Sequence, residues 1–417
     1  MVDQIRREAL AAREALPSLD DERVDDALRS MRGQLRDARD SVLAANAADC
    51  EGAAARLDDG ALDRLRLTET RLDELENQID ALAALPPLER IIESWELPNG
   101  LRVSAHKIPI GVVGANFEAR PNVALDVAGQ LLKSLNCCVL RTGSAALRTV
   151  AALVDGVVRP ALETAGIPGA AVGLVRTPDR AGAQALAAMP DVVPLVILRG
   201  SGETTRELAR HAATHGVQVL AHAEGGGVLY IDASADHAKA ESIVAASIDR
   251  LGVCNRLNLL LVHGDVSATL PRYVDLLSAS GITCYGTARA RDHAELSPLK
   301  KPIGHEWAND AEHVASVTVD VVDSADDACT IANRETSGLA AGVVAEDPDV
   351  AARFFEAYRG TAAFWHATTR FTDGYALTGA PETGINVGWA PGPRGPVTYR
   401  DLWLRQVRVV GDATQHR

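Results

Sequence analysis

Apolar positions in the first hundred residues recur at helical spacing. Leu72, Leu75, Ile79, Leu82 and Leu85 fall three or four apart and mark one face of a helix. Pro86-Pro87 stops that helix, since proline removes a backbone donor and clashes with the preceding turn. Upstream, Ser18-Leu19-Asp20-Asp21 has the form of a capping box, with Asp where Glu or Gln is the stronger partner. The pattern predicts that the first hundred residues form a helical layer covering another unit.

From residue 108 the rhythm changes. Short apolar runs at 108–114 (IPIGVVG), 137–141 (CCVLR), 172–176 (VGLVR), 193–200 (VPLVILRG) and 217–222 (VQVLAH) alternate with helix-length segments. That alternation predicts βαβ units and a parallel sheet with helices on both faces. Such sheets bind ligands beyond the carboxyl ends of their strands, so the residues just after each run are the ones to follow. A second α/β block is predicted from about residue 240: a helix over 240–248, then Cys254, then strands at 257–263, 314–322 and 340–347. After Phe371 the chain is rich in Gly and Pro, and it ends in a strand at 403–410 that is expected to pair, within the chain or with a neighbouring subunit. There is no internal repeat or low-complexity tract.

The 42 Lys+Arg against 56 Asp+Glu give a net charge of −14. Over most of its surface such a chain repels nucleic acid and anionic membrane, so neither is expected as a partner. An anionic ligand would need a locally basic crevice. The N-terminus is charged from residue 3, without the apolar stretch of a signal peptide, and no apolar run approaches a membrane span. Six scattered cysteines without a CxxC pair point to a reducing compartment. The expectation is a cytoplasmic protein without a disulfide framework or a metal site.

Two Gly-containing turns follow predicted strands: Arg141-Thr142-Gly143-Ser144, and Arg199-Gly200-Ser201-Gly202 with Glu203-Thr204-Thr205 after it. Each puts small residues and a guanidinium before a helix N-terminus, where backbone N–H groups favour a phosphate. Neither is a P-loop or a GxGxxG motif, and plain turn geometry is the commoner origin of each taken alone, while two of them on one sheet suit the extended crevice of a dinucleotide. In Glu118-Ala119-Arg120-Pro121-Asn122 the chain turns into a helix. Asn122 reads either as a simple N-cap or as an oxyanion donor, with Arg120 as an anion clamp. Cys137, Cys138, Cys284 and Cys329 read as small buried hydrophobes. Cys254 stands apart: it lies in a short Gly-marked loop at the seam between the blocks, and Arg250 and Arg256 could lower its pKa. The histidines form no HxxEH or HExxH pattern, and no GxSxG elbow is present.

These segments resemble the glutamate-5-semialdehyde dehydrogenase (gamma-glutamyl phosphate reductase) family of the aldehyde dehydrogenase superfamily. The resemblance runs in order from about residue 105 to 376, through EARPNV, LAHAEGGGVLYIDASAD, VCN followed by an apolar strand, SGLAAGVVAEDPDVAARFF and TRFTDGY. It implies an α/β fold: a Rossmann-type cofactor domain with the N-terminal helical layer (1–239), a catalytic domain carrying Cys254 (240–372) and a C-terminal oligomerisation segment (373–417). It implies that the Cys254 thiolate attacks an acyl phosphate and releases phosphate, and that NADPH reduces the resulting thioester to an aldehyde. L-glutamyl 5-phosphate, in proline biosynthesis, is the first candidate substrate, and NADH is not excluded. By the same resemblance Asn122 and the Cys254 N–H hold the oxyanion. Arg141, Gly143, Ser144, Arg199, Gly200, Ser201, Gly202 and Glu312 meet the cofactor. Arg120, Asn255, Arg256 and Arg370 meet the substrate. An upstream amino-acid kinase and a homodimer or homotetramer are implied as partners, and Glu224 is left without a role.

The chain departs from the family pattern at several points flanking the pocket. Arg256 replaces a small residue, Asn258 an acidic one and Leu259 a threonine; Gly226-Gly227 replace a Cys-His pair, and Ser247 a lysine. The C-terminal PETGINVGWAPGPRGP lacks the family's usual basic, Gln-containing run. An altered acyl substrate and simple drift explain these changes equally, and a non-catalytic relative that binds a nucleotide or a partner enzyme is a third reading. Given two polyanionic ligands on an acidic protein, Arg120, Arg141, Arg199, Arg256 and Arg370 are expected to gather in one crevice.

Overall fold

The computed structural model describes residues 1–57, 59–200, 202–222, 225–249, 253–309, 315–390 and 392–415. Helices Val2–Ala15, Asp21–Asp37, Arg39–Ala53, Asp59–Leu65 and Glu69–Ala83 form the expected N-terminal layer. Leu72, Leu75, Ile79 and Leu82 are buried in one core with the first sheet. The cap of the second helix differs from the expected box: Asp20 is the N-cap and accepts from the Arg23 N–H, while the Ser18 hydroxyl donates to Ala15 O at 2.6 Å. A carboxylate closer to the helix wins the exposed amides. The helical reading also fails near its end, because Ile91–Glu96 is a strand. All six of its side chains are exposed, so no alternation of burial betrays it.

The first large sheet is parallel, in the order Val172–Leu174, Cys137–Thr142, Val112–Phe117, Leu195–Arg199, Gln218–His222. By chain order this is 3-2-1-4-5, the doubly wound arrangement. The order reverses between Val112–Phe117 and Leu195–Arg199, where a crevice opens beyond the strand ends. The run expected at 108–114 divides in two: Arg102–Pro109 belongs to another sheet, and Gly111, at φ 120°, turns the chain into Val112–Phe117.

A second, seven-stranded parallel sheet runs Ser297–Pro298, Thr283–Gly286, Ser316–Val322, Leu257–His263, Gly227–Ile231, Ala340–Val344, Ala362–Trp365. Gly227–Ile231 is central to it, so the passage between the sheets falls before Gly227 rather than at residue 239. The rhythm of helices and runs could not reveal this, because only four residues separate His222 from Gly227. Cys137, Cys138, Cys284 and Cys329 are all buried in the cores.

The C-terminal segment reaches back over both units. Gly384–Asn386 and Gly395–Val397 form an antiparallel hairpin, lying against Ile197, Leu198 and Leu220 of the first sheet. Trp403–Val410 pairs antiparallel with Arg102–Pro109 of its own chain, in a three-stranded sheet completed by Ile91–Glu96. Three buried polar groups fasten this return. The Asn136 amide accepts from the Gly111 N–H at 3.0 Å and donates to Leu402 O at 2.8 Å. Gln130 accepts from the Tyr399 N–H at 2.6 Å, and the Tyr399 hydroxyl donates to Pro86 O at 2.8 Å. Asn136→Ala orphans a part-buried donor, the Gly111 N–H, and a buried acceptor, Leu402 O, and should lower the unfolding free energy by about 3 kcal/mol in chemical denaturation.

Candidate active site

Cys254 lies in the turn 253–256, ahead of Leu257–His263 and so at the amino ends of the second sheet. Two backbone bonds fix it to the entry of the neighbouring strand: Gly226 N–H to Cys254 O at 2.6 Å, and Gly227 N–H to Arg256 O at 2.7 Å. The approach leaves no room for side chains on that strand. A Cβ at Gly225 would stand 2.5 Å from both Cys254 Cβ and Cys254 O. At Gly226, where φ is +103°, a Cβ would stand 3.1 Å from Asn258. At Gly227 it would overlap Thr369 Oγ1 and come within 2.9 Å of Arg256 O. The Gly run in place of the family's Cys-His pair is therefore a packing requirement of this loop.

A second segment straps the same turn. Thr369 Oγ1 donates to Asn255 O at 2.9 Å, and the Asn255 amide donates to Arg370 O at 3.0 Å and Thr372 O at 3.1 Å. Arg370 donates to Asn255 Oδ1 and pairs with Asp249 at 2.6 Å. The TRFTDGY motif thus holds the cysteine turn; of the two residues expected at the substrate, Asn255 bonds backbone carbonyls of this strap and Arg370 bonds the side chains of Asn255 and Asp249. Arg256 departs from expectation likewise. It is buried, donates to Ser316 O at 2.6 Å, and burial lowers its pKa.

The thiol is half-buried against Leu339, Ala340 and Ile385. Burial and the nearby Glu306 and Glu382 carboxylates push its pKa up to about 12, and Arg120 opposes them. The expected activation by Arg256 is absent from this balance, and Arg250 lies outside the described residues. Glu306 lies in a loop anchored by Asn258, which accepts from the Trp307 N–H at 3.0 Å and donates to His305 O at 2.7 Å. Trp307 is buried, donates to Thr318 Oγ1 at 3.0 Å and stacks on Tyr285. Burial raises the Glu306 carboxyl to about 7, against the Gly225 N–H, Arg206 and Arg256.

The facing wall comes from the first sheet. Asn122 precedes helix Val123–Lys133 without capping it; its amide instead lies 3.5 Å from Asp126. Burial raises the Asp126 carboxyl to about 6, with Arg199 lowering it and Glu382 raising it further. Glu382 accepts from the Gly374 N–H at 2.6 Å and acts on Cys254 as well as Asp126, linking the two walls. The expected basic crevice is therefore mixed: Arg120 and Arg199 face Asp126, Glu306 and Glu382. None of these three carboxylates was singled out from sequence, because each stands in a loop or helix turn without spacing to mark it.

The cofactor candidates sit at the carboxyl ends of the first sheet. Gly143 and Ser144 follow Cys137–Thr142 and remain open, with nothing within 4 Å of a Cβ at Gly143. Gly200 follows Leu195–Arg199; a Cβ there would stand 3.0 Å from Glu118 and 3.2 Å from Thr205, a tight fit that glycine avoids before helix Gly202–Thr214. Arg141 is not an open clamp. Its buried guanidinium donates to Asn116 Oδ1 at 3.1 Å and to Pro178 O and Asp179 O, both at 3.2 Å. Ser201, Glu312 and Glu224 lie outside the described residues.

A doubly wound sheet facing a cysteine turn at the amino ends of a second parallel sheet defines a class. Residues 1–280 match the aldehyde dehydrogenase family, and the chain belongs to it. Its relatives there include gamma-glutamyl phosphate reductases. That of Clavibacter michiganensis subsp. michiganensis is 38% identical over 96% of this chain and 92% of its own. That of Solidesulfovibrio magneticus is 36% identical over 95% and 94%. The crystal structure of gamma-glutamyl phosphate reductase from Thermotoga maritima superposes with a TM-score of 0.93 at 28% identity, covering 99% of this chain and all of that one. An acetylating aldehyde dehydrogenase from Geobacillus thermoglucosidasius, 16% identical with a TM-score of 0.69 over 100% of this chain and 98% of its own, shares the fold.

Two outcomes follow. Gly227→Ala should displace the cysteine turn and lower turnover by about a hundredfold, measured as cofactor oxidation. Asp126 ionises easily when unfolded but reluctantly when folded, so its contribution to stability is full below its unfolded pKa and is lost as pH rises through about 6. Asp126→Asn should therefore gain at least about 1 kcal/mol on the wild type between pH 4 and pH 8, read from denaturation midpoints.

Proposed function

We propose that this protein reduces L-glutamyl 5-phosphate to L-glutamate 5-semialdehyde, with Cys254 as nucleophile and NADPH as reductant. The observation that carries the reading is Cys254 itself. It is held by two backbone bonds and a side-chain strap in the cleft that joins the carboxyl ends of one parallel sheet to the amino ends of another.

Gly143, Ser144, Gly200 and the N-terminus of helix Gly202–Thr214 fit a dinucleotide phosphate, through exposed backbone donors and the absence of side chains. When bound, the nicotinamide supplies a hydride to an acyl carbon. The protein does the rest. Cys254 Sγ attacks the acyl carbon and phosphate leaves, so the acyl group is held as a thioester. Arg120 and Arg199 attract the phosphoryl and carboxylate charges of the substrate. Asn122 and the Cys254 N–H stand as the oxyanion donors of this reading. Apolar Leu339, Ala340 and Ile385 beside the thiol exclude water, and water would hydrolyse the thioester before reduction.

The protein works in the cytoplasm, taking its acyl phosphate from an amino-acid kinase. It assembles as a homodimer or homotetramer through the three-stranded terminal sheet, where Leu404, Val407, Val409 and Val410 are exposed. No described helix is long and apolar enough to cross a membrane. With L-glutamyl 5-phosphate, NADPH should be consumed faster than NADH, and Cys254→Ala should abolish consumption and the acyl adduct seen on the intact protein by mass spectrometry. Turnover of other amino-acid acyl phosphates but not this one would overturn the substrate; an active Cys254→Ala would overturn the mechanism.

A further inference from the structure

We infer that Glu306 is the proton acceptor for the Cys254 thiol, and that three of the residues at which this chain departs from its family pattern, Gly226, Arg256 and Asn258, form the mount that holds it there. The inference rests on Cys254 as nucleophile.

Glu306 and Cys254 meet over one point. Around the position that a Cβ would take on Gly225, Cys254 Cβ lies at 2.5 Å and Glu306 Oε1 at 2.7 Å. The missing side chain of Gly225 is what lets the carboxylate stand beside the β-carbon that carries the thiol. The carboxylate accepts from the Gly225 N–H, which fixes its direction. Asn258 grips the main chain on both sides of Glu306, at His305 O and the Trp307 N–H, and so fixes the backbone from which the carboxylate projects. The acidic residue usual at position 258 could not donate to His305 O. Gly226 clears the space beside Asn258, since a Cβ there would press on the amide at 3.1 Å. Arg256, fixed to Ser316 O, acts on Glu306 from the start of the strand that carries Asn258. Arg256, Asn258 and Gly226 thus serve one carboxylate.

The surroundings suit a proton-passing role. Burial and the neighbouring carboxylates keep the thiol protonated, so a thiolate requires a base within reach. Glu306 is poised to titrate near neutrality. The charged groups acting on the pair are Arg206 from helix Gly202–Thr214, Arg256, Glu382 from the C-terminal segment and Arg120 from the first sheet. His305, next in sequence, sets its ring edge-on to Trp307.

As the S–C bond forms, the thiol proton moves to Glu306. The acyl C–O bond breaks with its electron pair on phosphate, which takes that proton and departs as hydrogen phosphate. When the aldehyde is released, the C–S pair returns to sulfur, and a solvent proton entering through Glu306 restores the thiol. One proton is consumed per turnover, as reduction of an acyl phosphate by NADPH requires.

The test compares wild type, Glu306→Gln, Glu306→Asp and Cys254→Ala. It reads kcat/KM for L-glutamyl 5-phosphate with NADPH against pH, and the rate of Cys254 alkylation by iodoacetamide, followed by mass spectrometry. The wild type should show a rising limb centred near pH 7 in both. Glu306→Gln should lose that limb, with kcat/KM at pH 7.5 lower by about a hundredfold and alkylation by about tenfold. Glu306→Asp should recover part of each. Faster alkylation of Glu306→Gln than of wild type at pH 7.5 would make Glu306 merely repulsive and overturn the inference. So would an unchanged pH profile, whether or not overall activity falls. If Cys254→Ala is inactive while Glu306→Gln keeps the wild-type profile, only this inference fails; an active Cys254→Ala removes the nucleophile on which both rest.

Discussion

The site depends on one close approach. Gly225-Gly226-Gly227 presses its backbone against the turn of Cys254, close enough for two amide bonds and too close for any side chain. Those bonds place the nucleophile relative to the second sheet, because Gly227 opens a strand central to it. The same contact sets Glu306 beside the Cys254 turn and makes room for the Thr369 strap. A side chain in this run would cost the register of the turn, and with it the alignment of the two sheet ends.

The electrostatics of the cleft do not follow from net charge. Of the five arginines expected to converge there, Arg141, Arg256 and Arg370 spend their donors on backbone carbonyls or a neighbouring side chain. An arginine with a buried stem satisfies fixed acceptors before it meets a mobile ligand. What remains is a mixed field, with Arg120 and Arg199 against Asp126, Glu306 and Glu382. Such a field suits a substrate that carries both signs, as an α-amino acid does, better than a purely basic groove would. It also keeps the resting thiol uncharged, which protects it from adventitious electrophiles.

Much of the frame was legible in the chain. The runs at 137–141, 172–176, 193–200, 217–222 and 257–263 each contain a strand; all but the edge strand Gln218–His222 are largely buried, and buried parallel strands read as unbroken apolar stretches. The terminal strand at 403–410 was read to the residue. Ile91–Glu96 was not, since it is exposed along its whole length, and the passage between sheets was misplaced because it takes only the four residues between His222 and Gly227. In the site, Cys254 stood out through its Gly-marked context, whereas Asn255 and Arg370 drew attention for the right neighbourhood and the wrong partner. Glu306 carried no local signal: its importance arises only when Asn258, Gly225 and a distant loop meet in space.

The return of the C-terminal segment also sets when this protein becomes an enzyme. The thiol pocket borrows Ile385 from the hairpin, and the hairpin is followed by the segment that Gln130 and Asn136 fasten through Tyr399 and Leu402. During synthesis the first sheet can fold early, as N-terminal units do. The walls around Cys254 close only after the last stretch of chain has left the ribosome. A nascent or prematurely ended chain therefore carries its nucleophile without the pocket that would put it to use.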